Sequence, residues 1–482
     1  MHYKWRALIA VCFGTYMATM DFSIVNVALP RLSREFDEPA DTVVWVTLTS
    51  SLVVTGLTLT AGRAGDLFGR KRLYVLGWLI FTAGMAAAGL AQGVEQLIAF
   101  RFIQSIGVAL AIANGNAIVT AAFPDSERGR ALGMTGAVVG AGLMSGPILG
   151  GALLSLFGWQ AIFYMRVPIG LIALAMALLL IRGDRPPEAG ERRLDIPGAI
   201  TIFLTLGASL LAVNRGREFG WMSPTILGLF ALSLASFVAF IRIESRAPSP
   251  VLALTLFKHR SFSIGVLSLA INFVGQSAVT FLMPFYLINV RDFSAAHTGL
   301  IVSTVPLMML LLSPVSGYIS DRWAFRLQPS LGILLVALGL VALSSVEAST
   351  PVTMIVLRLA VVGIGTSVFM SPNSSQIMGS VPRTMLGTAS ASVATARNVG
   401  NATGLALGSA ILTAVASAST GLRGVKVDDL PEGAVLDGVQ AAFLVAGIAS
   451  ALALVPSLLR GRRQAEGLTL EAVAASEPQR VR

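Results

Sequence analysis

The chain has one cysteine and three histidines in 482 residues. A single thiol, Cys12, excludes an intramolecular disulfide and a thiolate metal site. His2, His259 and His297 stand far apart in the chain and form no metal-binding pattern, so neither a metal nor a cofactor is expected. No catalytic dyad appears either, which argues against an enzyme. Charge is scarce: 12% of residues are Asp, Glu, Lys or Arg, against about 25% in soluble domains. With 55% hydrophobic residues and a mean hydropathy of +0.77, the chain reads as an integral membrane protein whose first partner is the lipid bilayer. The net charge of +10 would suit a nucleic-acid binder. Its basic residues, however, are scattered in short loops, where membrane topology accounts for them, and no nucleic-acid partner is expected.

What is present is a series of long apolar runs, each near the roughly 20 residues a helix needs to cross a bilayer. Fourteen can be counted, at 7–30, 43–62, 73–92, 97–123, 132–157, 161–181, 196–213, 223–241, 262–288, 298–319, 331–343, 352–373, 386–416 and 439–459. The run at 331–343 is short and is expected to continue to about Val346. The first run follows Lys4 and Arg6 as a signal peptide would, but it is too long and carries Asp21, so it reads as a retained span. Polar linkers lie at 182–195, with Pro186-Pro187, and at 242–260, and a polar tail at 460–482. With the N-terminus inside, Lys and Arg are about three times as numerous in the inner loops as in the outer ones. Both termini are therefore expected in the cytoplasm.

An internal repeat runs through these spans. Gly62-x-x-x-Asp66 is echoed by Gly317-x-x-x-Asp321, Arg101 by Arg358, Pro124 by Pro382 and Gly129 by Gly387. Gly142, Gly146 and Gly150 are echoed by Gly400, Gly404 and Gly408. The expected organisation is a six-helix bundle over 1–182, two inserted helices with cytoplasmic linkers over 183–260, a second six-helix bundle over 261–460 and a cytoplasmic tail over 461–482. The inserted spans lack deep charges and are assigned no transport role. Parallel repeats of this kind, with a substrate site between them, resemble the architecture of a major facilitator transporter.

Asp21 is the one acid deep in a span, about 21 Å along its helix at 1.5 Å per residue. An intramembrane acid marks an ion or substrate pathway by default; the alternative is an ion pair that only joins two helices. Arg101 comes at a comparable depth, about 6 Å below the outer end of its span against about 13 Å for Asp21. Burial favours a neutral acid and a nearby guanidinium favours the carboxylate. A carboxylate whose partner changes with conformation is a workable proton carrier, so Asp21 and Arg101 are the proton-coupling candidates. Snorkelling of Arg101 to the headgroups is the competing reading. The loop from Gly62 to Arg72 contains Asp66, Gly69 and Arg70. Its glycines permit a tight turn, and Asp66 can pair with Arg70 or cap a neighbouring helix, which would latch the cytoplasmic side; Asp321 is its counterpart. In the fifth span, Gly142, Gly146 and Gly150 allow close helix approach, and Pro147 favours a kink.

Several of these stretches resemble signatures of the major facilitator superfamily. The loop over 62–72 resembles its signature between the second and third spans, and Arg101 to Ala109 its fourth-span motif, with Ser105 where glycine is usual. The glycines of the fifth span resemble the antiporter motif of its drug-exporting branches. Asp21-x-x-Ile24-Val25-Asn26-Val27-Ala28-Leu29-Pro30 resembles the first-span motif of the fourteen-span drug:proton antiporters. Trp159 to Gly170 resembles that group's entrance to the sixth span, departing at Gln160 and Arg166, where Arg and Asn are usual. Arg166 is expected to add a charge near the outer mouth. Arg397-Asn398-Val399-Gly400-Asn401 resembles the thirteenth-span motif, with Asn398 and Asn401 substituted.

The resemblance implies a proton-coupled multidrug antiporter in a bacterial plasma membrane. It would export amphipathic small molecules by alternating access as a monomer, with Asp21 carrying the proton. The alternative is a dedicated exporter of one endogenous metabolite or lipid. Polar residues in the spans, Asn26, Asn114, Asn272, Gln276, Asn373, Arg397 and Asn398, are the substrate-cavity candidates. With no second deep acid, neutral, zwitterionic or monocationic substrates are expected, and Arg397 leaves anions open.

Overall fold

A computed structural model describes residues 2–183, 194–323, 327–420 and 431–458. Most of the first polar linker, including Pro186-Pro187, and the tail over 461–482 lie outside the described residues. Among the described residues the chain is helical, with no strand. Thirteen helices are long and apolar enough to cross a membrane, and a shorter apolar helix joins them.

The first six helices are α1 (Tyr3–Glu35), α2 (Trp45–Phe68), α3 (Arg70–Gly89), α4 (Val94–Ala122), α5 (Arg128–Phe157) and α6 (Gln160–Leu180, broken at Met165-Arg166). Two more follow, α7 (Ile196–Phe219) and α8 (Pro224–Glu244). The last six are α9 (Arg260–Phe285), α10 (Thr304–Trp323), α11 (Gln328–Leu343), α12 (Val352–Gly379), α13 (Leu386–Thr420) and α14 (Glu432–Leu452). The short run does not continue to Val346. Helix α11 instead reaches back to Gln328, and its C-cap at Ser344 closes on the carbonyls of Leu340, Val341 and Ala342.

The sequence repeat is a repeat of packing. Helix α1 packs on α5 and α2 on α4, as α9 packs on α13 and α10 on α12. The most extensive crossings between the halves are α5 with α10 and α2 with α13. Small residues make both possible. On α5, Gly133 lies against the Ser313 backbone of α10 and Gly140 against that of Pro306. On α13, Gly387 lies against the Gly62 carbonyl of α2, so either glycine would clash with its neighbour if it carried a Cβ. In a bilayer, helix association rests on such close packing, because lipid tails are as apolar as the side chains they replace.

Helices α7 and α8 pair with each other, and α7 also contacts α2 and α13. It therefore lies along the seam of the two halves. A cluster of Leu59, Ala113, Ile202, Phe240, Leu252 and Ala391 draws side chains from both halves and from the inserted segment into one core.

Candidate functional site

Asp21 is 3% exposed and points from α1 toward α4 and α6. Arg101 Nη1 donates to its two carboxylate oxygens at 3.0 and 2.8 Å. Gln104, one turn along α4, donates Nε2 to Asp21 Oδ1 at 3.0 Å and accepts from Arg101 Nη1 at 2.8 Å. Arg101 Nε donates to the Val46 carbonyl at 3.2 Å, which ties the cluster to α2. Spacing alone could place Arg101 near Asp21, because the two residues sit at similar depth in helices of opposite direction.

The third partner is Arg166. It does not sit at the mouth. It is 1% exposed, and its Nη1 donates to Asp21 Oδ1 at 2.5 Å. The break in α6 at Met165-Arg166 turns this side chain inward, and its Nε bonds the Ile162 carbonyl at 2.6 Å. One carboxylate therefore faces two buried guanidiniums, and the cluster carries a formal excess of one positive charge. Arg166 Nη2 remains buried without a hydrogen bond. The sequence signal for this partner was the departure from Asn at that position, and its depth was hidden because the break in the helix is not visible in hydropathy.

The α5 glycines pack immediately beside the cluster. A Cβ on Gly142 would overlap Thr19, one on Gly146 would overlap Ser23, and one on Gly150 would press on Ile24. Ser23 donates Oγ to the Gly142 carbonyl at 3.3 Å. Pro147 lies inside this helix. Any rearrangement around Asp21 thus meets α5 without intervening side chains.

At the far end of α2, Asp66 joins the halves. Its Oδ1 accepts from the Gly387 backbone N–H at 2.8 Å, and its Oδ2 from the N–H and hydroxyl of Thr388 at 2.8 and 3.0 Å. Arg70 donates Nε and Nη2 to Asp66 Oδ1 at 3.1 and 2.8 Å, and Nη2 also to the Arg383 carbonyl at 2.6 Å. Gly69, with φ of +101°, makes the turn that brings Arg70 back onto Asp66. Asp321 at the end of α10 repeats the device, accepting from the N–H groups of Gly129 and Arg130 at 2.8 and 2.7 Å. Each carboxylate caps the start of the other half's fifth helix, where unpaired N–H groups and the helix dipole favour an anion. Gly62 lies in the α2–α13 crossing one turn above.

Between the halves is a narrow cleft of about 60 Å³, room for about five waters. Its polar wall includes Thr15, Thr19, Asn116, Ser374 and Arg397, and its aromatic wall Tyr74, Trp78 and Phe273. Among the described residues Arg397 is its one charged residue and makes no ion pair. Of the seven polar candidates, Arg397 alone lines this cleft. Asn114 is fully buried and donates to the Ala61 carbonyl of α2 at 3.3 Å and to the Leu110 carbonyl of its own helix at 2.9 Å. Asn373 is held by the Gly265 carbonyl at 3.2 Å. Asn272 is fully buried with both side-chain polar atoms unpartnered, and Gln276, one turn on, points Nε2 at Met309 sulfur, 3.8 Å away. Asn398 is half-buried beside Arg397 in α13. Asp21 is also outside the cleft wall. It stands two residues beyond Thr19 on α1 and only about 20° around the helix from Gly14 at 3.6 residues per turn, so the carboxylate sits just past one end of the cleft wall, turned to α4 and α6.

Asn26 lies elsewhere, in a second chamber of about 320 Å³ that it shares with Phe22, Thr47, Ser50, Arg101 and Arg215. This chamber is at the start of α2, and Ser50 is about 24 Å along that helix from Asp66. It therefore lies at the face opposite the two latches. Arg215 corrects the view of α7 as free of deep charge. The helix continues past Val213 to Phe219, and Arg215 is 8% exposed, its guanidinium 4.8 Å from the ring centre of Trp45. Stacking on Trp45 lets the helix carry a cation there.

The comparisons with known proteins agree with this geometry. A family model described as Major Facilitator Superfamily matches residues 11–405 and 265–478. Riboflavin transporter RibZ of Clostridioides difficile (strain 630) is 35% identical over 84% of this chain and 88% of its own. Multidrug resistance protein Stp of Mycobacterium tuberculosis (strain CDC 1551 / Oshkosh) is 31% identical over 86% of this chain and 76% of its own. Among solved structures, the human organic anion transporter MFSD10 superposes with a TM-score of 0.65 at 15% identity, over 94% of this chain and 99% of its own. The proton:xylose symporter XylE superposes at 0.64, also at 15% identity, over 94% of each chain.

Proposed function

The chain belongs to the major facilitator superfamily, and from that membership we propose that it is a proton-coupled exporter of amphipathic small molecules, with Asp21 as the proton carrier. It is a multi-pass membrane transporter and not an enzyme. The observation that carries the proposal is the buried Asp21 cluster, a carboxylate held between two guanidiniums on a helix that also walls the central cleft.

The basic loops put the latched face in the cytoplasm and both termini with it. With the latches of Asp66 and Asp321 open, an amphipathic compound enters the cleft from that side while Asp21 is ionised on Arg101 and Arg166. The halves rock, the latches close, and water in the opposite chamber reaches Arg101 and through it Asp21. Protonation of Asp21 frees the two guanidiniums and reshapes α1 against the α5 glycines. Because Asp21 sits on α1 just beyond the cleft wall and not in it, this competition between proton and substrate is indirect, through the helix. One proton moving inward gains about 2.3 kcal/mol per 100 mV and about 1.4 kcal/mol per unit of pH difference. A tenfold uphill gradient of a neutral compound costs about 1.4 kcal/mol, so one proton is sufficient.

A second reading has a specific observation behind it. The 35% identity to a protein named for riboflavin transport favours a dedicated carrier of one compound over broad export. One experiment addresses both readings. Purified protein in weakly buffered detergent is titrated with a panel of drugs, dyes and flavins, wild type against Asp21→Asn. Proton release by several unrelated compounds, lost in the variant, supports multidrug antiport. Release by a single compound supports the dedicated carrier. Binding without release in either protein sinks the role of Asp21.

A further inference from the structure

The chamber opposite the latches contains more positive charge than a water route needs. Arg101 enters it from α4 and Arg215 from α7, and among the described residues no acidic one lines it. Arg101 commits Nε and Nη1 to Val46, Asp21 and Gln104. Its Nη2 makes no hydrogen bond within the described residues. Ser50, also on the wall, is 4% exposed, and its hydroxyl has no partner. A buried donor left unsatisfied costs roughly 1–3 kcal/mol, and here the unsatisfied hydroxyl and the unused guanidinium nitrogen border the same space.

We propose that this chamber is a binding site for an oxyanion, a carboxylate by preference, held by Arg101, Arg215 and the Ser50 hydroxyl. A guanidinium nitrogen donates charge-assisted hydrogen bonds to an oxyanion, shorter and stronger than neutral ones. Asn26 on the same wall spends one amide N–H on the Phe22 carbonyl at 3.1 Å and keeps the other. The chamber of about 320 Å³ is far larger than an inorganic ion and falls within the range of small-molecule pockets, about 300–1,000 Å³. With Phe22 on one wall, it suits a carboxylate borne on an apolar body. The charge of the neighbouring cluster points the same way. Asp21 is one negative charge against Arg101 and Arg166, and an anion on the chamber side of Arg101 neutralises the excess. Removing the Asp21 charge leaves both guanidiniums uncompensated and strengthens the attraction. Two sources supply this chemistry, the carboxylate of an amphipathic solute and an inorganic oxyanion of the medium. The site also gives the inserted pair of helices a task, since Arg215 comes from α7.

The proposal rests on the geometry of the chamber and not on export. Its test therefore uses purified full-length protein in detergent, with no gradient. Thermal unfolding is followed while sodium benzoate, or in a parallel series sodium sulfate, replaces sodium chloride at constant ionic strength. Wild type is compared with Asp21→Asn, Arg215→Gln, Ser50→Ala and, for the central cleft, Arg397→Gln. The expected result is saturable stabilisation by benzoate, at least tenfold tighter in Asp21→Asn, at least tenfold weaker in Arg215→Gln, severalfold weaker in Ser50→Ala and unchanged in Arg397→Gln. Stabilisation by benzoate alone assigns the site to an organic carboxylate; equal stabilisation by sulfate assigns it to an inorganic oxyanion. No saturable effect in either wild type or Asp21→Asn overturns the proposal. So does a benzoate affinity that Arg397→Gln abolishes and Arg215→Gln leaves intact.

Discussion

Replacing Asp66 with Asn tests the latch most directly. The two side chains are nearly isosteric, so packing is kept and the chemistry changes. Asp66 offers two anionic oxygens to three donors of α13: the backbone N–H groups of Gly387 and Thr388 and the Thr388 hydroxyl. The amide turns one oxygen into a donor, which then faces a backbone N–H. A hydrogen bond to a charged group contributes about 1.5–3 kcal/mol, and three would give about 4.5–9 kcal/mol as an upper bound. Arg70 holds the same carboxylate, and water replaces part of what is lost when the face opens, so we take about 2–4 kcal/mol. That shifts the balance of closed and open latch by about 30- to 1,000-fold. The reporter is a cysteine at Ser374, on the cleft wall, in a Cys12→Ser background. Its labelling by a membrane-impermeant maleimide from the latched face is expected to be slow in the parent and at least tenfold faster with Asp66→Asn. Asp321→Asn acts on the same equilibrium from the other half, so the two effects should add as free energies, as for independent sites. Equal labelling rates in the parent and in the Asp66→Asn/Asp321→Asn double variant would refute the latch.

Three further outcomes follow from the packing and the cleft. Gly146→Val should force α5 off Ser23 of α1 and lower stability by about 1–3 kcal/mol, seen as a lower Tm. Gly151→Val on the same helix, where a Cβ meets nothing within 4 Å, should change it by less than about 0.5 kcal/mol; equal losses would refute the α1–α5 argument. Arg397→Gln removes the cleft's one charge, so in an Arg215→Gln background, where the opposite chamber is weakened, cleft binding of anionic amphipaths should fall at least tenfold while that of cationic ones is kept or improved; equal loss for both classes counts against charge recognition. Asn272→Leu removes two buried, unpartnered polar atoms at similar volume. It should raise stability by about 1–3 kcal/mol, read as a higher Tm; a lower Tm would show that Asn272 has a partner.

The sequence by itself determined the membrane class, the approximate place of the spans and their division into two related sets. Lipid cannot satisfy backbone polar groups, so each crossing must be a long apolar helix that hydropathy reveals. The echo of Asp66 in Asp321 named the carboxylates of the two latches, because a capping acid beside a turn glycine leaves a local signature, but that they cap the helix starts at Gly387 and Gly129 was decided by the packing of the halves. Pairing of Asp21 with Arg101 was within reach too, since depth in a helix follows from residue count. The tertiary structure decided what depends on direction around the helix axis. It tied Asp21 to α4 and α6 beyond the cleft wall, drew Arg166 inward at a break in α6 and spent Asn114 and Asn373 on neighbouring carbonyls. It also left Asn272 without a partner, extended α7 so that Arg215 stacks on Trp45, and set that helix along the seam of the halves. The reason is that composition along a membrane helix encodes depth well, but the apolar environment on every side leaves almost no periodic signal of which face meets which partner.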